Sequence, residues 1–224
     1  MSQLPLALGG LGPPDFAHYW PEGGLVSTRL QAFARAPGAA QIHLTGPEGS
    51  GKTHLLLACC ALAESLEHSV QYLPLQRVPI DALQLAGGVD LLVIDDGDRA
   101  LLEREWALAL FAAINRQHDV RRALLLASRA GPSAALLPDL GSRLALAERL
   151  RLAPHTDEAR AAILRHRASR AGIPLDDAAV DYLLRHGARE LKSLMAQLAA
   201  LDREALARGR RVTVPLIRQV LGQG

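Results

Sequence analysis

The sequence predicts an α/β protein in which a parallel sheet lies between helices and is followed by a smaller, all-helical domain. Short and almost uninterrupted apolar segments alternate with helical segments over the first two thirds of the chain, a pattern typical of a parallel sheet covered on both faces. A glycine-rich phosphate-binding signature stands between a predicted strand and a predicted helix. After Pro154 only helical periodicity remains, so we predict a domain boundary at that residue.

Residues 1–24 are expected to form an irregular leader, because they hold four prolines and five glycines. The domain over 25–153 is expected to contain, in order, a helix over 25–35, a strand over 41–45, a helix over 52–66, a strand over 70–73, a short helix over 79–85, a strand over 91–95, a long amphipathic helix over 101–118, a strand over 123–127 and a last strand over 149–152. The domain over 154–224 is expected to contain helices over 156–171, 176–186, 188–208 and 215–222. Three glycines are expected to end the first three of these helices: Gly172, Gly187 and Gly209.

Composition favours a folded protein and argues against several classes of function. Hydrophobic residues make up 49% of the chain and charged residues 21%, which is typical of a globular domain. The net charge of +2 gives no general electrostatic argument for binding nucleic acid or an acidic membrane. The only cysteines, Cys59 and Cys60, are adjacent, so we expect buried free thiols and no disulfide. No apolar stretch approaches the ~18 residues of a membrane span and no basic segment precedes the apolar N-terminus, so we expect a cytoplasmic protein without membrane contact.

The strongest functional motif is Gly46-Pro-Glu-Gly-Ser-Gly-Lys-Thr53, a complete G-x4-G-K-T phosphate loop. Gly46, Gly49 and Gly51 allow backbone N–H groups to close around phosphates, and the N-terminus of the following helix adds its positive end. Lys52 is expected to reach the β- and γ-phosphates, and Thr53 to bind Mg²⁺. The motif therefore predicts bound ATP or ADP with magnesium.

The predicted strand over 91–95 ends in two carboxylates. Four apolar residues followed by Asp95 describe a buried strand that brings this carboxylate to the C-terminal edge of the sheet, where ligands bind in such folds. Asp95 is expected to hold Mg²⁺ directly or through water, and Asp96 to orient the attacking water. Asp-Asp-Gly-Asp is also a good turn sequence, but next to a phosphate loop we favour the magnesium interpretation.

Three further polar residues each have a functional and a structural interpretation, and the sequence leaves both open. Ser128, at the end of the next strand, either senses the γ-phosphate or simply ends the strand. Arg143 lies before the last strand; it either enters the active site of a neighbouring molecule, where an arginine finger accelerates hydrolysis by roughly 10³–10⁵, or pairs with Asp139. Arg189 either folds back onto the phosphates or is a solvated helical arginine.

In this order, the phosphate loop, the acidic strand end, the sensor strand and the two arginines resemble the AAA+ ATPases. Within them the chain resembles the DnaA group, and in particular the Hda family of DnaA-related regulators of replication initiation. The segments that carry the resemblance are Phe16–Pro21, Ile94–Asp96, Leu137–Leu144, Arg189–Leu191 and Val212–Leu221.

The resemblance implies that the segment from Phe16 to Trp20 helps to form the base pocket, that Arg143 is the arginine finger and that Arg189 is the second sensor. The strand after the acidic pair ends Ala-Ser-Arg-Ala-Gly-Pro, which departs from the threonine- and aspartate-containing form usual in the group. The first sensor is therefore not assigned by resemblance, and Ser128 remains its candidate.

The same resemblance implies a function for the N-terminal hexapeptide Gln3-Leu-Pro-Leu-Ala-Leu8. Members of the Hda family carry a Gln-Leu-x-Leu-x-Leu segment that docks in the hydrophobic cleft of the β sliding clamp. Leu4, Leu6 and Leu8 are expected to enter apolar pockets while Gln3 supplies a hydrogen bond. The sequence lacks the DNA-binding helix-turn-helix domain of DnaA, so we expect no sequence-specific DNA binding.

These implications lead to one main functional hypothesis. The chain is an adaptor on the DNA-loaded clamp that presents Arg143 to the ATP site of DnaA, so that DnaA hydrolyses its ATP and loses competence for initiation. Nucleotide in the chain's own phosphate loop, ADP or ATP, holds a competent conformation, with weak turnover or none. One alternative is a helicase-loader-like ATPase acting on single-stranded DNA, and another is a clamp-associated remodelling ATPase with an unrelated client. A homodimer that masks Arg143 is also compatible with a finger that acts in trans.

Overall fold

The structure, a computed structural model, describes residues 14–21, 24–209 and 211–222. The described residues divide into two compact units: residues 24–154 form unit 1, and residues 14–21 with 155–222 form unit 2. The hexapeptide predicted to bind the clamp, residues 3–8, lies outside the described residues.

Unit 1 is built on a five-stranded parallel sheet, as the alternating pattern predicts, and the strands lie in the order β2-β3-β4-β1-β5. Its elements are α1 (Leu25–Arg35), β1 (Gln41–Thr45), α2 (Lys52–Ser65), β2 (Val70–Pro74), α3 (Ile80–Gln84), β3 (Leu91–Asp95), α4 (Asp98–Leu102), α5 (Arg104–Asp119), β4 (Ala123–Ser128), a 3-10 turn (Pro132–Ala134), α6 (Pro138–Leu146) and β5 (Glu148–Arg151).

Every residue of β3 and β4 is buried, which explains why these strands are apolar without alternation. One apolar cluster joins β3 and β4 to helices α3, α4, α5 and α6. Helix α2 buries one residue after another from Leu55 to Cys60. The prediction for Cys59 and Cys60 is confirmed: both thiols are free and buried, and burial raises the pKa of each.

One prediction in unit 1 is wrong, and one helix was not predicted. The single helix expected over 101–118 is two helices, because Glu103 has extended backbone angles (φ −103°, ψ 127°) and separates α4 from α5. The carboxylate of Glu103 is held by the guanidinium of Arg99 at 3.0 Å. Helix α6 was not predicted at all: only Leu140 and Leu144 of its nine residues are buried, so its apolar periodicity is short.

Unit 2 contains four helices among the residues described: α7 (Asp157–Arg170), α8 (Asp177–His186), α9 (Leu191–Ala207) and α10 (Val214–Leu221). The Thr156 hydroxyl accepts a hydrogen bond from the Ala159 N–H (3.2 Å) and caps α7, and the Asp176 carboxylate caps α8 through the Ala179 N–H (2.7 Å). Helix α9 begins later than predicted, so that Arg189 lies in the turn before it.

The aromatic segment of the leader belongs to unit 2. Phe16–His18 forms a 3-10 turn, and the His166 imidazole donates a hydrogen bond from Nε2 to the Ala17 carbonyl oxygen at 2.9 Å. Trp20 packs against the helical core of this unit. None of the described helices is both long and apolar enough to cross a lipid bilayer.

Candidate nucleotide-binding site

The phosphate loop connects the end of β1 to the start of α2, and its glycines each have a steric reason. Gly49 and Gly51 have φ of +74° and +93°, a left-handed conformation that L side chains rarely adopt. Gly46 is required for space, because a Cβ there would lie 2.8 Å from the Ser50 Oγ and 2.9 Å from the Leu152 Cβ. The loop conformation therefore depends on the two glycines of the motif, Gly46 and Gly51, and on Gly49 between them.

Lys52 folds over this loop. Its ammonium donates hydrogen bonds to the carbonyl oxygens of Gly46 (2.7 Å) and Pro47 (2.8 Å). Burial lowers the pKa of Lys52, while the carboxylates of Asp98 and then Asp95 oppose that shift. A concentrated positive charge at a helix N-terminus is the arrangement that binds phosphate.

The loop also contains an unused donor that fits a phosphate group. The Ser50 Oγ is buried and has no hydrogen-bond partner among the described residues. A buried hydroxyl without a partner costs free energy unless a ligand or water satisfies it. Together with the left-handed glycines and the Lys52 ammonium, this hydroxyl makes the loop chemically suited to a polyphosphate.

The two predicted acidic residues lie at the same edge of the sheet as the phosphate loop, at the C-terminal end of β3. Asp95 is only 1% exposed, and its carboxylate accepts hydrogen bonds from the Tyr72 hydroxyl and the Asp96 N–H, both at 2.9 Å. Asp96 is less buried and has a left-handed backbone (φ +55°). Burial, and next the negative charge of Asp95, raises the pKa of Asp96.

These residues fit a magnesium ion held partly by water. No group of three or more His, Cys, Asp or Glu side chains suited to a metal occurs in the described parts of the chain. Mg²⁺ in nucleotide sites does not need such a group, because one or two protein ligands, substrate phosphates and waters complete its coordination. Asp95 and Thr53, which lies in the first turn of α2, are the ligands expected from this sequence.

Tyr72 was missed by sequence reasoning, and it orients the carboxylate of Asp95. Burial and the neighbouring Asp95 raise the pKa of the Tyr72 hydroxyl, so it remains a hydrogen-bond donor at neutral pH. We expect Tyr72→Phe to raise the Mg²⁺ concentration needed for half-maximal nucleotide binding by about tenfold. Loss of a residue that orients a metal ligand has effects of this size at metal sites. Nucleotide titrations over a range of Mg²⁺ concentrations measure this, and an unchanged magnesium midpoint would contradict the role assigned to Tyr72.

Ser128, the candidate first sensor, is fully buried at the end of β4. Its hydroxyl donates to the Ala130 carbonyl oxygen at 2.6 Å and lies 2.7 Å from the His43 Nε2. Because the hydroxyl proton is used on Ala130, the His43 Nε2 carries the proton of the second bond. Both hydrogen bonds of the Ser128 hydroxyl are thus made to other groups of the protein.

His43 shares this buried pair, and its Nδ1 has no partner among the described residues. Burial lowers the pKa of His43 from 6.5 to about 4, although the charge of Asp98 opposes the shift. Sequence reasoning missed His43; the available signal was a polar ring in the middle of the otherwise apolar segment Ile42–Leu44.

The buried His43 predicts acid sensitivity. Its folded-state pKa lies below its unfolded value, so the unfolded chain binds more protons, and stability falls as the pH drops from about 6.5 towards 4. The shift corresponds to a loss of about 3 kcal/mol over this window. Urea unfolding of the wild type and of His43→Gln between pH 7.5 and 4.5 measures it. We expect the variant to have a shallower pH dependence, and equal slopes would contradict the prediction.

Arg143 lies on α6 and is partly exposed. Leu140 and Leu144 anchor the helix in the core on either side of it along the chain. The alternative pairing with Asp139 does not form, and none of the described residues makes an ion pair with Arg143 within 4.0 Å. Helix α6, packed through these two leucines, therefore presents an arginine whose charge no described carboxylate neutralises.

Arg189 is exposed in unit 2, in the turn that precedes α9. The turn is held from both sides: Arg160 donates from Nη2 to the Ala188 carbonyl oxygen (3.0 Å), and the Ala188 N–H donates to the Gln197 Oε1 (2.8 Å). Arg160 is in turn paired with Asp157 at 3.0 Å. These contacts restrict the backbone next to Arg189, and neither Arg160 nor Gln197 belongs to a motif that would have indicated its role.

The helical part of unit 2 matches a known family model. Residues 157–221, which contain α7 to α10, match the model described as the lid domain of Hda.

Solved structures resemble nearly the whole chain. Domain III of the replication initiation protein DnaA from Thermotoga maritima has a TM-score of 0.77 at 20% identity, over 94% of this chain and 96% of that chain. AMPPCP-bound DnaA from Aquifex aeolicus has a TM-score of 0.69 at 20% identity, over 89% and 68%. The Thermotoga maritima RuvB Holliday junction branch migration motor has a TM-score of 0.63 at 18% identity, over 93% and 73%. These similarities establish the fold, a parallel α/β domain followed by a small helical domain, and the lid match shows that residues 157–221 are similar to the lid domain of Hda.

Proposed function

We propose that this chain is a DnaA-inactivating adaptor, which binds nucleotide and the DNA-loaded β sliding clamp and supplies Arg143 to the ATP site of DnaA. The observation that carries the proposal is Arg143 on α6, which no carboxylate among the described residues pairs with, in a fold similar to that of DnaA. A guanidinium without such a pair can engage the nucleotide of a partner without first breaking an ion pair. Arg143 meets this condition, although Asp139 is four residues away on the same helix.

The nucleotide, ADP or ATP, binds the chain's own phosphate loop in this proposal. Solved DnaA structures with bound AMPPCP are consistent with it. Lys52 and the loop N–H groups would hold the phosphates, and Thr53 with Asp95 would hold Mg²⁺. Bound magnesium would neutralise charge on the phosphates. Asp96 would orient the attacking water, and its raised pKa would make its carboxylate a better proton acceptor than an ordinary aspartate.

The remaining residues are assigned by the resemblance: Phe16 and Trp20 to the base, and Arg189 to the phosphates. The restricted turn next to Arg189 supports this assignment, because a fixed backbone lowers the entropy lost when the side chain binds.

Gln3, Leu4, Leu6 and Leu8 bind the clamp in this proposal. The support for this part is the sequence pattern, in which an extended peptide places alternate leucines in pockets. Attachment to a clamp on DNA raises the local concentration of the adaptor near DnaA.

Reconstituted ATP hydrolysis by DnaA tests the proposal. We expect this chain to stimulate hydrolysis when clamp loaded on DNA is present, and Gln3→Ala to weaken the stimulation strongly. A matched control is Gln41→Ala, which removes a glutamine far from the hexapeptide in sequence. Equal stimulation without clamp would contradict the adaptor mechanism, and strong DNA-stimulated hydrolysis by the isolated chain would favour a loader-like ATPase instead.

A further inference from the structure

Arg129 extends from the tip of β4, one residue beyond the buried Ser128. Its side chain is 61% exposed. It lines an open cleft of about 1170 Å³ together with Gly46 and Pro47 of the phosphate loop. The first cationic side chain after β4 therefore faces the same space as the phosphate loop.

Asp98 holds Arg129 in place through the main chain and the side chain. The Asp98 carboxylate accepts hydrogen bonds from the Arg129 N–H (2.9 Å) and the Ala130 N–H (3.4 Å), and it lies 3.3 Å from the Arg129 Nε. The segment before Asp98 is tied to the same strand, because the Gly97 N–H donates to the Ala127 carbonyl oxygen at 2.8 Å. The loop after β3 and the tip of β4 thus form one connected structure.

This connected structure lies within the electrostatic reach of the phosphate-binding ammonium. The cleft that Arg129 lines also contains Gly46 and Pro47, whose carbonyl oxygens accept the hydrogen bonds of the Lys52 ammonium. A charge in this cleft also acts on an anion bound to Lys52. Ser128 cannot provide such a contact, since its hydroxyl is buried and committed to Ala130 and His43.

We propose that Arg129, rather than Ser128, contacts the terminal phosphate of a nucleoside triphosphate in the phosphate loop, and that Asp98 holds its guanidinium when that phosphate is absent. This inference rests on the proposed nucleotide binding. The guanidinium exchanges a carboxylate for a phosphate oxygen, which is also a charge-assisted acceptor. A diphosphate lacks that oxygen, so Arg129 remains on Asp98 and the site distinguishes the two nucleotides.

Dissociation constants for a non-hydrolysable ATP analogue and for ADP, measured with Mg²⁺ by calorimetry on the full chain, test this inference. We expect Arg129→Gln to weaken binding of the analogue by about tenfold, and to leave the ADP constant within about twofold of the wild type. Asp98→Asn is expected to act in the opposite direction and tighten binding of the analogue by about threefold, because it removes a competing negative charge. Asparagine keeps a side-chain oxygen that can accept from the Arg129 N–H.

A neighbouring ion pair, between Arg99 on α4 and Glu103 just after that helix, provides the matched control. Arg99→Gln also removes an arginine from a surface ion pair, here at 3.0 Å, and is expected to change neither constant. Equal weakening of both nucleotides by Arg129→Gln would overturn the assignment of Arg129 and leave nucleotide binding intact. If Asp98→Asn fails to fold, the result for Arg129→Gln alone decides. Failure of the wild type to bind either nucleotide would overturn both the nucleotide site and this inference.

Discussion

Arg143→Ala is expected to abolish stimulation of ATP hydrolysis by DnaA, with a loss of about 10³-fold or more in the stimulated rate. A finger arginine stabilises negative charge that develops on the transferring phosphoryl group, and no shorter side chain reproduces that charge. Because Arg143 makes no ion pair among the described residues, its removal leaves no buried carboxylate without a partner. The folded structure should therefore tolerate the change, and the loss should be functional.

Two further variants test whether the effect is specific to the position of Arg143 and to its guanidinium group, beyond its positive charge. Arg149→Ala removes an exposed arginine of β5, six residues along the chain, and is expected to retain stimulation. Arg143→Lys keeps the charge but not the planar guanidinium, and is expected to remain strongly impaired. Single-turnover hydrolysis by DnaA in the presence of clamp and DNA measures all three. Full stimulation by Arg143→Ala would show that the finger assignment is wrong.

Lys52→Ala is expected to weaken nucleotide binding by about 100-fold, because a charge-assisted contact to phosphate is removed from a partly buried site. The same change removes the two hydrogen bonds that the ammonium donates to the Gly46 and Pro47 carbonyl oxygens. Because nucleotide binding is weakened, we also expect the increase in thermal unfolding temperature caused by ADP to disappear. Stabilisation by a ligand depends on its concentration relative to its dissociation constant.

Lys192 is the matched control for Lys52, because the chain has no other lysine. It is exposed in the first turn of α9, and Lys192→Ala should retain both nucleotide affinity and the thermal shift. Calorimetric titration with ADP and with ATP measures the affinities. An ADP constant in Lys52→Ala that equals the wild-type constant would contradict binding at the phosphate loop.

The strands and the phosphate loop were predictable because their causes are local. Burial of both faces of β3 and β4 requires apolar side chains at every position, and the left-handed backbone at Gly49 and Gly51 requires glycine. Helix α6 and the break at Glu103 were not predictable in the same way. Because α6 has few buried residues, the helical periodicity of its apolar residues is weak. The single extended residue Glu103 does not interrupt the apolar pattern of the helices on either side of it.

The sequence by itself determined the five strands, the phosphate loop and the acidic end of β3, since each depends on residues close together in the chain. Only the tertiary structure decided which polar groups already have a hydrogen-bond or ion-pair partner within the protein. Ser128 is hydrogen-bonded to His43, which lies 85 residues away, and Arg143 has no ion-pair partner in the described part of the chain although Asp139 is close in sequence. Parallel strands bring distant residues to one edge of a sheet, so the partners of a side chain there depend on the assembled fold.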